Sequence, residues 1–118
     1  MSIKNALASV AVKDLAAALP WYENLLGRPA DSRPMPEVAE WQFERGGWLQ
    51  VYQLPERAGS GSFTLAVSSV QEQVTRLEQL AIDTRQRTSG EKVKTLMITD
   101  PDGNHIAFAE AVDPDLAQ

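Results

Sequence analysis

From Leu7 to Val12 small and apolar residues alternate weakly, the pattern of a short strand. Asp14 follows as an N-cap. Leu15, Leu19, Tyr22 and Leu26 then recur at i, i+4, i+7 and i+11, which predicts a helix with one buried stripe. Gly27 and Pro29 stop it. Pro20 lies inside and removes a hydrogen bond, so a kink or a late start is expected there. Ala30 to Glu40 carries Pro34 and Pro36 and reads as an irregular edge strand and loop. Trp41–Arg45 and Trp48–Gln53 flank Gly46-Gly47, a two-residue hairpin signal. That turn pairs Arg45 with Trp48, Phe43 with Gln50 and Trp41 with Tyr52, and puts all six side chains on one face. Glu56 to Gly61 is a polar connection.

The pattern then restarts. Ser62 to Val67 is a strand, Ser69-Val70-Gln71-Glu72 is a capping box, and Val70, Val74, Leu77 and Ala81 form a helical stripe. These four lie 55 residues after Leu15, Leu19, Tyr22 and Leu26, as Ser69 lies after Asp14 and Val67 after Val12. Strands follow near Asp83–Arg87, Val93–Thr99 and Asn104–Glu110, the last two joined by the tight-turn sequence Asp100-Pro101-Asp102-Gly103. The prediction is an α+β fold with two tandem βαβββ modules, about 3–55 and 61–111, in one domain spanning 1–118.

Composition narrows the function classes. A net charge of −5 with no basic cluster argues against a nucleic-acid partner. No run approaches the roughly 18 apolar residues of a membrane span, and the N-terminal residues lack a signal peptide's apolar stretch, so a cytoplasmic protein is the default expectation. The absence of cysteine excludes disulfides, thiolate nucleophiles and thiolate metal sites.

Val12-Lys13-Asp14-Leu15, Trp21-Tyr22-Glu23-Asn24-Leu25-Leu26-Gly27, Gly46-Gly47 and Asp100-Pro101-Asp102-Gly103-Asn104-His105-Ile106 together resemble the vicinal-oxygen-chelate superfamily of glyoxalase I, extradiol dioxygenases, fosfomycin-resistance enzymes and bleomycin-resistance proteins. The resemblance runs from about Ile3 to Glu110. It implies sheets curled into an open cup with the helices outside. It also implies four cup-facing positions that hold His, Gln or Glu metal ligands in the enzymes of the superfamily. Here these positions are Leu7, Gln50, Ser62 and Ala107. Leu7 and Ala107 have no donor atom, Ser62 is a poor ligand at neutral pH, and Gln50 offers one neutral oxygen. The expectation is a metal-free cup without a cofactor.

Trp41, Phe43, Trp48 and Tyr52, grouped around Gln50, are the candidate ligand-lining residues, because an apolar concavity with a few polar handles is the usual small-molecule site. The competing reading makes these rings core or interface. Ser62 and Thr64 share a strand face and are candidate hydrogen-bonding residues on an opposite wall; Ala107 leaves its position open. Phe63, Leu65, Val67, Ile106 and Phe108 should face the helices as core, and Trp21 and Tyr22 should pack. His105, the single histidine, has the parity of Ala107 and is a candidate lone general base or ligand partner; it makes neither a metal site nor a triad alone. Glu37, Glu40, Glu44 and Glu56 suggest an acidic rim suited to a cationic aromatic ligand. Resemblance to the bleomycin-resistance branch implies a homodimer that sequesters a small organic drug or metabolite. The alternatives are a glyoxalase-like lyase, isomerase or dioxygenase, which would need a metal site or acid–base work by His105, and a pure interaction module.

Overall fold

A computed structural model describes residues 2–112. Among these residues the fold is α+β: two α-helices, a short 3-10 turn at Pro55–Arg57 and two four-stranded mixed sheets, with one α-helix and one sheet in each of two compact units. Of these residues the first unit comprises 2–61 and 101–104, and the second comprises 62–100 and 105–112.

In the first unit the order along the chain is β1 (Leu7–Val12), α1 (Leu15–Leu26), β2 (Ser32–Met35), β3 (Val38–Gln42) and β4 (Trp48–Gln53). The sheet order is β1-β4-β3-β2, with β1 parallel to β4 and the other pairs antiparallel. Asp14 caps α1 by accepting from the Ala16 N–H, and Gly27 ends it at a φ of 78°, the left-handed conformation that glycine adopts without strain. The helix is continuous through Pro20, which is exposed; the hydrogen bond it forgoes is the one to the Ala16 carbonyl four residues back. The buried stripe is Leu15, Ala18, Tyr22 and Leu25, so the i+3 steps to Ala18 and Leu25 replace Leu19 and Leu26 of the simpler periodicity. Against it lie Val10, Val12, Ala39, Trp41, Leu49 and Val51, all buried on one face of the sheet. Pro34 sits in β2, the edge strand, where its missing N–H breaks no ladder and the register with β3 shifts between Ser32 and Met35.

The hairpin joining β3 to β4 corrects the two-residue turn expected at Gly46-Gly47. The Gly46 N–H donates to the Phe43 carbonyl and the Phe43 N–H to the Gly47 carbonyl. Only Gly46 has a positive φ, 94°. A type I′ turn needs positive φ at both central residues. One such residue after a type I turn gives instead a three-residue loop with a glycine bulge. The register becomes Trp41 with Leu49 and Gln42 with Trp48. This differs from the expected pairing by an odd number of residues and so turns every β3 side chain to the other face.

The second unit repeats the plan: β5 (Ser62–Ala66), α2 (Val70–Gln79), β6 (Arg87–Ser89), β7 (Val93–Thr99) and β8 (His105–Ala111), in sheet order β5-β8-β7-β6. β5 and α2 begin 55 residues after β1 and α1, from positions 62 and 70 against 7 and 15. Ser69 accepts from the Glu72 N–H as the capping box requires, and the Glu110 carboxylate accepts from the Val70 N–H at 2.8 Å, covering a second orphan donor. Val70, Val74 and Leu77 are buried with Phe63, Leu96, Ile98, Ile106 and Phe108. Ala81 lies outside the helix, exposed and at a φ of 60°, and the strand expected at Asp83–Arg87 forms later, at Arg87–Ser89.

Candidate functional site

The face of the first sheet opposite α1 is set by the register. Trp48, Gln50 and Tyr52 project from β4 at i, i+2 and i+4, on one side of the pleat. Cross-strand partners share that side, so three rungs run across the strands. Leu7–Trp48–Gln42 is the first, Ser9–Gln50–Glu40 the second and Ala11–Tyr52–Val38 the third. The outer rungs each carry an aromatic ring. The middle rung is wholly polar.

That middle rung is wired in one direction. Gln50 Nε2 donates to Glu40 Oε2 at 2.9 Å and Ser9 Oγ donates to Gln50 Oε1 at 3.3 Å. A carboxylate can only accept, so it takes the amide's nitrogen end. The amide oxygen is left toward Ser9, which must donate. Trp48, Gln50, Tyr52 and Glu40 are half-buried, Ser9 is exposed, and Leu7 is 46% exposed. At about 3.3 Å per residue and about 4.8 Å between strands, the grid measures roughly 13 Å by 10 Å, the footprint of a two- or three-ring molecule.

A latch at one corner holds the first rung. Arg28, just past the end of α1, makes a 2.6 Å ion pair with Asp31 and donates to the Gln42 carbonyl. Asp31 accepts from the Gln42 N–H at 2.7 Å. The Arg28 guanidinium, with help from that N–H, holds the Asp31 carboxyl below the usual carboxylate range.

Trp41 and Phe43 do not belong to this face. Trp41 is fully buried on the α1 side, its ring centroid 6.4 Å from that of Tyr22 and its Nε1 donating to the Arg28 carbonyl at 3.0 Å. Phe43 lies beyond the end of β3, half-buried, where its N–H and carbonyl close the turn. The expectation that both share a face with Trp48, Gln50 and Tyr52 therefore fails, and the one-glycine turn is the cause. Two residues the expectation left out take their place: Ser9, legible from strand alternation with Leu7, and Glu40, read from sequence only as part of a rim.

In the second unit the anticipated parity is observed. Ser62 pairs with His105, which pairs with Thr99; Thr64 pairs with Ala107, which pairs with Met97. Ser62, Thr64, His105 and Ala107 thus share the face of the second sheet away from Phe63, Ile106 and Phe108. His105 is exposed, and among the described residues it has no hydrogen-bond or ion-pair partner that would orient it as a base. Glu110, of opposite parity, serves α2.

The residues at the four positions that the resemblance implies as metal ligands do not suit a metal by their chemistry. Leu7 and Ala107 present only carbon, and Gln50 is already committed to Ser9 and Glu40. Among the described residues no group of three or more His, Cys, Asp or Glu side chains is placed to hold a metal ion.

The sequence model of the glyoxalase-like domain family matches residues 8–109. Among solved structures, a glyoxalase/bleomycin resistance protein from Catenulispora acidiphila is 34% identical, with 92% of this chain and 99% of that one covered and a TM-score of 0.83. An antibiotic-binding protein from a Streptomyces species superposes with a TM-score of 0.80 at 22% identity, covering 94% of this chain and 98% of that one. A virulence protein from Salmonella typhimurium does so with a TM-score of 0.75 at 20% identity, covering 95% of this chain and all of that one. These last two likenesses concern the fold. No curated protein matches the chain in sequence.

Proposed function

The chain belongs to the glyoxalase-like domain family of the vicinal-oxygen-chelate superfamily, and from that premise we propose that it binds a small organic molecule, without a metal, against the Trp48–Gln50–Tyr52 face of its first sheet. One observation carries the reading: a polar rung, Ser9–Gln50–Glu40, flanked on the same strand by two half-buried aromatic rings. Rings supply area and stacking, and a few placed polar atoms supply orientation, which is the composition of a ligand site. A face meant only for water has no use for two large rings, and a face meant for core has no use for a three-membered polar chain.

Binding in place of turnover is supported by what the face contains. It has no imidazole, thiol or lysine, and its one carboxylate is engaged by an amide N–H. The antibiotic-binding relative supports the same direction. Sequestration of a drug or metabolite by a homodimer completes the proposal.

A thermal-shift screen of small aromatic compounds against the wild type, with each hit repeated on Trp48→Ala and Tyr52→Ala, tests it. Hits whose affinity falls at least tenfold in either variant are expected. A screen without hits, or hits indifferent to both variants, would overturn the assignment.

A further inference from the structure

We propose that Glu40 is the specificity-determining residue of this face and selects ligands that carry a cationic nitrogen beside an aromatic ring; this rests on the binding reading above. The reason lies in the direction of the polar chain. Ser9 Oγ spends its single proton on Gln50 Oε1, so its remaining capacity is to accept. At the other end Glu40 Oε2 accepts from Gln50, and the carboxylate's other acceptor sites have no partner among the described residues. The rung therefore ends in acceptors on both sides. A ligand that lies along it satisfies these atoms only by bringing donors.

Charge sharpens the choice. Glu40 has no cationic partner among the described residues, since Arg28 is taken by Asp31 and Arg33 donates to the Val38 and Pro36 carbonyls. The carboxylate is half-buried on a sheet whose neighbouring rungs hold aromatic rings, where a charge-assisted hydrogen bond is stronger than in open water. Trp48 stands one rung from Glu40 on the same face of the β3–β4 pair, and an aromatic ring at such a diagonal position can share a cation. An anionic ligand would set like charge against the carboxylate, and a purely acceptor one would leave it without a donor. Specificity then comes as much from rejection as from attraction.

The test uses planar probes of one shape and different charge at pH 7.5: 9-aminoacridine, a cation; acridine, neutral; and acridine-9-carboxylate, an anion. Titration calorimetry on the intact chain should give a preference of at least tenfold for 9-aminoacridine over acridine, weakening with added salt. Glu40→Gln should erase that preference by lowering the cation's affinity about tenfold with acridine unchanged. Glu40→Lys should shift preference to acridine-9-carboxylate. Circular dichroism and melting of both variants serve as folding controls, and either variant alone suffices to decide. Equal affinity of the wild type for the cation and the neutral probe, or a preference that survives Glu40→Gln, overturns the inference while leaving the binding site standing if Trp48→Ala still weakens both probes. If no probe binds the wild type, or Trp48→Ala changes nothing, the binding reading itself falls.

Discussion

Two tryptophans show how a single side chain's direction decides its use. Trp41 and Trp48 lie on neighbouring strands, yet Trp41 is sealed against Tyr22 with its indole N–H on the Arg28 carbonyl, while Trp48 is half-open on the opposite face. Trp41→Phe removes a buried hydrogen bond and part of a ring from the core. We expect a loss of roughly 1–3 kcal/mol in urea denaturation and no change in affinity for 9-aminoacridine. Trp48→Ala should do the reverse, with stability within about 1 kcal/mol and affinity down at least tenfold. The acids of the surface make a second prediction. Arg85 grips Asp83 through three hydrogen bonds of its guanidinium, and this, with the Arg85 backbone N–H, holds the Asp83 carboxyl down to about 2. A depressed carboxyl stabilises the fold above its ordinary value, and that contribution is lost as pH falls through about 2. Both groups are exposed, so salt screens the effect. Carboxyl NMR titration should find Asp83 titrating well below the ordinary aspartate range, moving upward in high salt or in Arg85→Ala.

At the scale of elements, the hairpin between β3 and β4 determines which residues meet. Gly46 occupies a φ of 94°, where a side chain is strained, whereas Gly47 does not and has open space around its Cα. Gly46→Ala is therefore expected to cost about 1 kcal/mol or more, and Gly47→Ala close to nothing, by denaturant midpoint. A two-residue turn would penalise both. This turn also marks the limit of what the chain discloses without a structure. β1, β4, β5, β7 and β8, both N-caps and the Gly27 stop were legible because alternation, Asp14, Ser69 and Gly27 act locally, whereas Leu19, Leu26 and Ala81 of the simple helical stripes and the strand placed at Asp83–Arg87 were not. Gln50 and Tyr52 follow from Trp48 by strand alternation alone. The membership of Trp41, Phe43 and Glu40 depends on register, and two adjacent glycines admit two turns of different register parity. Which one forms is settled by burying Trp41 and leaving Glu40 beside Gln50, a tertiary choice that no local signal encodes.

For the whole molecule, the 55-residue repeat built two sheets of like order whose faces away from the buried core have unlike chemistry. The first presents aromatic rings around a polar rung; the second presents Ser62, Thr64, His105 and small Ala107. The Asp-Pro-Asp-Gly-Asn stretch, the strongest motif of the chain, is explained by structure. Asn104 is fully buried in the first unit, accepting from the Gly59 and Gly61 N–H groups at 3.1 and 2.8 Å and donating to the Ala11 carbonyl at 2.8 Å. Asp102 accepts from the Lys13 N–H at 3.0 Å. Asn104→Ala leaves three backbone groups of that cluster without a partner and should cost roughly 3 kcal/mol or more, read as a lowered denaturant midpoint.

The most direct test of the binding account is chemical-shift mapping of the 15N-labelled protein titrated with 9-aminoacridine. We predict saturable shifts at the Trp48 indole N–H, the Gln50 side-chain amide and the backbone amides of Leu7–Ala11 and Trp48–Tyr52, with the Trp41 indole unmoved. Shifts confined to other residues, or none at millimolar probe, would contradict it.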